Sequence, residues 1–333
     1  MTRIGFFTRV LDDVSPGDRY RLAAEQIEHA ERLGFDTAWV AQHHFDGGEG
    51  GLPAPLVFLS HLAARTSRIR LGTAIITLPL EHPVRVAEDV AVLDLLSGGR
   101  LEVGVGSGGT PTAFAAFGQD PAQRGSIYAE HLQVLVDAWS GKDLGGGNHL
   151  YPAAPALLDA IWEATFSASG GARAGRAGNG LMLARTQPRP EGAPHATLAE
   201  IQKPVVDAYY ANLPSGVAPR VMASRTVFVA DTREEALRWA ARGLAKPGLR
   251  QPDGDGVDAL IAAWDAHVGT PEDVIAGLQA DPTLERATDL VFQVHSIDPP
   301  HEQILRSIEL LATEVVPALG SANPLVPSLG ESA

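Results

Sequence analysis

Eight short apolar runs recur along the chain, and a stretch with helical spacing or a long loop follows each. The runs are Ile4 to Val10, Thr37 to Val40, Ile69 to Thr77, Leu101 to Gly106, Ile161 to Phe166, Leu181 to Leu183, Val221 to Val229 and Asp289 to Val294. Strand-type runs separated by helices dictate parallel pairing, because each new strand must start from the same end after a crossover. An open doubly wound sheet usually carries fewer strands per domain, whereas eight such units close into a barrel. The 333 residues fit two average domains or one barrel with insertions. We therefore expect one α/β domain, a (β/α)8 TIM barrel over 1–320. Turn-rich excursions fall near 140–156, 186–196 and 246–256, and a flexible tail is expected at 321–333.

Helix boundaries are legible in places. Ser15-Pro16-Gly17-Asp18 is turn chemistry with Asp18 as the expected N-cap, and Tyr20, Ala23, Ile27 and Ala30 repeat at helical spacing. Pro83 starts another helix that Gly98-Gly99 stop. Thr232 with Glu235 reads as a capping box, and Thr270-Pro271-Glu272-Asp273 opens a further helix.

Composition removes whole classes of chemistry. With no cysteine, disulfides, thiolate zinc sites, iron–sulfur clusters and cysteine nucleophiles are excluded. A net charge of −14 argues against nucleic acid and anionic membrane as general partners. No apolar run is long enough for a transmembrane helix, and Arg9 with two aspartates breaks the N-terminal one. A cytoplasmic protein acting on a small molecule is expected.

In a barrel, function sits where strands end. The candidates are Gln42-His43-His44, Thr73 to Leu78, Gly104 to Thr110, Ser167 to Gly171, and Gln293 with His295. Gly104 to Gly109 matches G-x-G-x-x-G, but it follows the fourth strand rather than the first, so its glycines read as room for a ligand or a tight turn. Ser167-Ala168-Ser169-Gly170-Gly171 leads into a helix carrying Arg173 and Arg176, which suits a phosphate; ordinary serine capping of a tightly packed helix explains it equally well. Adjacent histidines point oppositely on a strand, so His43 and His44 do not readily share a metal, and none is expected. One of the pair is expected to be buried and the other to face the cavity as a base. His61, His131, His149, His195, His267 and His301 read as surface or helix-face residues, and Arg100 as a partner of a carboxylate.

The segments AERLGFDTAWVAQHHF (30–45) and LGTAIITLPLEHPVRVAEDVAVLDLLSGGRLEVGVGSGG (71–109) closely resemble the bacterial luciferase-like monooxygenases. The likeness continues at Phe117-Gly118, GGARAGRAGNGL (170–181) and VGTPEDVIAGL (268–278). The resemblance implies a (β/α)8 barrel that takes reduced flavin mononucleotide (FMN) from a separate reductase, with the deazaflavin F420 as the alternative cofactor. Oxygen would add at the flavin C4a carbon, and the hydroperoxide would oxygenate the substrate. Hydride transfer without oxygen, and flavin binding without turnover, are the other outcomes such a barrel allows.

By the same likeness His43 is the catalytic histidine, with His44 as the alternative. Ala74 and Ile75 are the flavin platform, joined by a cis peptide bond. Ser167, Ser169, Gly170 and Gly171 form the phosphate loop, helped by Gly106, Ser107 and Arg124. The family has Glu where Gln42 stands, Arg at Ser107 and Cys at Gly106, so light emission is not expected. A homodimer is expected through helices near Leu56–Ala64 and Val84–Leu95, which carry more apolar residues than one core face needs.

Overall fold

A computed structural model describes residues 2–245, 254–294 and 296–320. The expectations for His295, for the 321–333 tail and for most of the 246–256 excursion lie outside the described residues. Strands form at β1 (Arg3–Thr8), β2 (Thr37–Val40), β3 (Arg70–Thr77), β4 (Leu101–Gly106), β5 (Ile161–Ala164), β6 (Gly180–Leu183), β7 (Val221–Val229), β8 (Ala266–Gly269) and β9 (Asp289–Gln293). All pair in parallel. The ladder runs β1 to β7 in order and returns through β9 to β1, closing an eight-stranded barrel.

The sequence reading missed β8. Among the described residues it pairs only with the Thr226–Val229 half of β7, outside the barrel wall, while Met222–Thr226 pair with β9. A second correction concerns the first helix, α1 (Pro16–Arg32): its N-cap is Ser15, whose hydroxyl accepts from the Asp18 amide.

The remaining α-helices up to His301, in chain order, are α2 (Pro55–Ala63), α3 (Pro83–Ser97), α4 (Pro111–Ala116), α5 (Arg124–Trp139), α6 (Ala168–Ala177), α7 (Leu198–Asn212), α8 (Arg233–Leu244), α9 (Val257–Ala263), α10 (Pro271–Gln279) and α11 (His301–Leu310). Thr197 with Glu200 and Thr270 with Asp273 cap α7 and α10 reciprocally; Thr232 caps α8 by accepting from the Glu235 amide. Among the described residues, no helix is long and apolar enough to cross a membrane.

The barrel lumen is packed by size alternation. Trp39 and Trp162 meet edge to face at its centre, with ring centroids 5.8 Å apart. Glycines stand opposite each ring: a Cβ on Gly72 would lie 2.2 Å from Trp39, and one on Gly180 2.2 Å from Trp162. Met182, Met222 and Val291 complete this layer. Below it, at the N-terminal face, Arg3 bridges Glu102 (3.1 Å) and Asp289 (2.8 Å), and Trp162 donates to Glu102 (2.7 Å). Charges at this face stabilise the barrel, and the opposite face is left to carry the chemistry.

Arg100 corrects a further expectation. Among the described residues it pairs with no carboxylate, but donates to the carbonyls of Ala63, Thr66, Ile69 and Ser97 and to the Thr66 hydroxyl, pinning the end of α2 to β4.

Candidate active site at the C-terminal mouth of the barrel

Lumen residues alternate along each strand. On β1 the series Gly5, Phe7 continues to Arg9; on β2, Trp39 continues through Ala41 to His43. His43 therefore faces the mouth. His44 turns outward and packs its ring edge-on to Phe117, with centroids 4.8 Å apart. Gln42 also points away from the lumen. Its amide donates to Glu81 (2.7 Å) and Pro53 O (3.2 Å) and its carbonyl accepts from the Thr77 amide (2.7 Å), so it ties β2 to β3.

Burial, then the nearby Arg9 charge, pushes the His43 pKa down to about 4. The imidazole is neutral at physiological pH and available as a proton acceptor. A glycine-rich loop covers it. Glu49 Oε2 stands 3.8 Å from His43 Nδ1 and accepts from the Thr110 hydroxyl at 3.2 Å. Arg9 donates to the Glu49 carbonyl, and Arg19 donates to Gly47 O (2.6 Å). Glycine is required at 50, where a Cβ would lie 2.4 Å from the His43 ring.

Strained backbone concentrates here. Among the described residues, four of the five non-glycine residues with positive φ follow β1, β2 or β9 directly: Val10 (56°), Phe45 (67°), Ser296 (105°) and Asp298 (46°). Such conformations collect at ligand sites, where surrounding contacts hold them.

The β3–β5 sector of the mouth is floored by small residues. The Ala74–Ile75 peptide bond is cis, and the β3–β4 register shifts between Thr73 and Ile76. Ile75 reaches over β4, and a Cβ on Gly106 would lie 2.3 Å from its Cδ1 and 3.6 Å from Ala164 Cβ. Ala74, Ile75, Gly106 and Ala164 thus form an apolar floor, with Ser107 half-buried beside Gly106.

After β5, Thr165, Ser167 and Ser169 link their hydroxyls at 3.3 and 3.1 Å. Ser167 caps α6 by accepting from the Gly170 amide at 3.1 Å, and the Gly171 amide donates to Ser167 O at 3.0 Å. Gly171 faces α7, where a Cβ would lie 2.3 Å from Val205 O. The groups this loop turns outward are therefore the Ser167 and Ser169 side chains and the first amides of α6. Arg124 is exposed at the start of α5 and has no side-chain partner among the described residues.

The sequence leaves two readings open for the helix carrying Arg173 and Arg176; neither arginine is turned to a ligand. Arg173 pairs with buried Glu163 at 2.7 Å, beside the Tyr128 hydroxyl (3.0 Å) and Asn179 amide (2.9 Å) on the same carboxylate. Arg176 donates to Asn212. His267 is likewise no surface residue. It is half-buried on β8, within electrostatic reach of Arg225 and Asp281, and burial pushes its pKa down to about 4.

Sequence reasoning did not single out Arg9 and Arg185 as mouth residues. Arg9 carried a readable signal, since it prolongs the two-residue period of Gly5 and Phe7. Arg185 follows β6 and donates to Thr226 on β7 at 3.3 Å.

A family model described as luciferase-like monooxygenase matches residues 2–284. Limonene 1,2-monooxygenase of Rhodococcus erythropolis is 29% identical over 313 residues, covering 88% of this chain and 80% of that one. The uncharacterized protein y4vJ of Sinorhizobium fredii is 36% identical over 172 residues, 49% of each chain. The match thus spans about half the length of that relative. The oxygenating constituent of 3,6-diketocamphane monooxygenase from Pseudomonas putida, solved with FMN, superposes with a TM-score of 0.73 at 19% identity, covering 95% of this chain and 98% of that one.

Proposed function

The chain belongs to the luciferase-like monooxygenase family, and from that membership we propose that it is a cytoplasmic FMN-dependent monooxygenase. It takes reduced FMN and O2, inserts one oxygen atom into a small organic substrate and releases the other as water. The observation that carries the reading is the apolar floor of Ala74, Ile75, Gly106 and Ala164 beside a neutral His43. A planar ring needs such a floor, and glycine at 106 leaves the room in it that the Ile75 side chain occupies.

The residues present fit the cofactor. Ala74 and Ile75 support the isoalloxazine ring system. Ser107, the Ser167 and Ser169 hydroxyls, the first α6 amides and Arg124 hold the phosphate, and Gly170 and Gly171 let α6 reach that position. When bound, reduced FMN supplies the electrons that activate oxygen at its C4a carbon. His43 accepts a proton at its imidazole, while the Glu49 loop packs over it and limits its contact with water.

Reduced FMN comes from a separate reductase. The chain acts as a homodimer through α2 and α3, whose outer faces expose Val57, Val92, Leu95 and Leu96.

The test supplies enzymatically reduced FMN and 18O2 to the purified protein with a panel of ketones, aldehydes, terpenes and organic acids. One 18O atom per product molecule is expected. Substrate turnover with reduced F420 and without oxygen would overturn the reading.

A further inference from the structure

Among the described residues, two arginines at the mouth have neither the carboxylate partner of Arg3, Arg189 and Arg225 nor the set of three or more main-chain carbonyls that satisfies Arg100 and Arg220. Arg225 pairs with Asp281 at 2.6 Å, Arg189 with Asp265 at 2.5 Å, and Arg3 with Asp289 at 2.8 Å. Among the described residues, no carboxylate comes within ion-pair distance of Arg9 or Arg185. Arg9 donates only to the Glu49 main-chain carbonyl. Arg185 donates to the Thr226 hydroxyl and lies over the Trp264 ring at 5.8 Å.

Nearby acids do not fill the gap. Asp265 is held by Arg189 and by the Thr186 hydroxyl (3.0 Å). Asp298 lies within electrostatic reach of both guanidiniums, and the Glu49 carboxylate within that of Arg9. Each arginine is half-buried, and the charge of Arg9 is felt at Arg185. Placing two cations together in a poorly solvated pocket is unfavourable, and an anion that enters the pocket offsets the cost of both.

Position decides which anion. The floor and the phosphate-binding loops occupy the β3–β5 sector. Arg9 follows β1, Arg185 follows β6 and Thr226 lies on β7, so the pair bounds the other half of the mouth, beside His43. We propose that Arg9 and Arg185 form an oxyanion subsite for the substrate, and that the substrate is an organic acid held by its carboxylate. A guanidinium fork matches a planar carboxylate with two parallel hydrogen bonds. The assignment rests on the proposed function only for where the cofactor lies.

Acetate is the smallest probe of such a subsite, and acetamide is its neutral counterpart. Thermal melts at constant ionic strength should show saturable stabilisation of the protein by acetate and none by acetamide. Arg185→Gln and Arg9→Gln should each weaken the acetate effect at least tenfold. Arg185→Lys, which keeps the charge, should keep part of it. Equal effects of acetate and acetamide, or equal effects of acetate on the protein and on Arg185→Gln, would overturn the proposal. A loss of inorganic-phosphate stabilisation in Arg185→Gln larger than its loss of acetate stabilisation would also overturn it.

A parallel FMN titration separates the two readings. Arg185→Gln should bind FMN within threefold of the unaltered protein. A tenfold loss would assign the pair to the cofactor and sink the organic-acid subsite while the proposed function stands. If the unaltered protein binds no FMN, the proposed function fails, and the acetate result still decides the subsite.

Discussion

Acidification from pH 7 to pH 5 should destabilise this fold through two histidines. His43 and His267 each titrate near pH 4 in the native state, against about 6.5 in an unfolded chain. A depressed native pKa means that the unfolded chain binds more protons between those values, so stability rises with pH across that window and falls as pH drops. At pH 5 the unfolded state gains about 2 kcal/mol per histidine relative to the native state, against about 0.2 kcal/mol at pH 7. Solvent reaches about a quarter of the His43 side chain (24%) and part of half-buried His267, which reduces the share of each to roughly 1.5 kcal/mol. Together the pair accounts for about 3 kcal/mol, a substantial part of a typical domain's 5–15 kcal/mol. Glu81, Asp94 and Asp289 are held above the ordinary carboxylate range by burial and act in the opposite sense. The comparison that isolates the histidines is therefore urea unfolding at both pH values for the protein and for a His43→Gln/His267→Gln double variant. The protein should lose about 3 kcal/mol more than the variant. An equal loss, or a protein that gains stability on acidification relative to the variant, would refute the reasoning.

Further outcomes follow from single contacts. Gly180→Ala should cost at least about 2 kcal/mol in denaturant unfolding, since its Cβ lands 2.2 Å from the fully buried Trp162 ring. His43→Ala should retain FMN while product formed per reduced FMN consumed falls about a hundredfold; unchanged coupling assigns the proton transfer elsewhere. Leu95→Glu with Leu96→Glu should convert a dimer into a monomer by light scattering at micromolar concentration, and a monomer before mutation would remove the proposed interface.

Most of the barrel was legible because its strands are buried on both faces and read as apolar runs; every β4 and β7 residue is buried. β8 was not, because Ala-His-Val-Gly is four residues long and only half-buried on the outside of β7. The length of β7 was the available clue: its nine residues serve two neighbours in succession. The His43–His44 ambiguity needed the strand phase, which Trp39 sets from the lumen. The role of Arg173 is open in the sequence because its partner, Glu163, sits in an otherwise apolar strand, and a buried carboxylate creates a demand for positive charge that no local pattern shows. Arg100 was misread for the converse reason: its acceptors are main-chain carbonyls, which leave no signature in side-chain identity. The glycines of α6 look alike in sequence, yet Gly171 serves helix packing against α7 while Gly170 belongs to the Ser167 cap.

Anaerobic titration of the protein with reduced FMN, beside a Ser169→Asp variant, tests the central claim most directly. Ser169 is exposed, so the change adds a negative charge at the phosphate position with little steric disturbance. Repulsion at about 4 Å is worth about 1–4 kcal/mol at solvent-like to surface-like dielectric. The account predicts one FMN per chain and an affinity at least about tenfold weaker in the variant. No FMN binding, or the same affinity in both proteins, would contradict it.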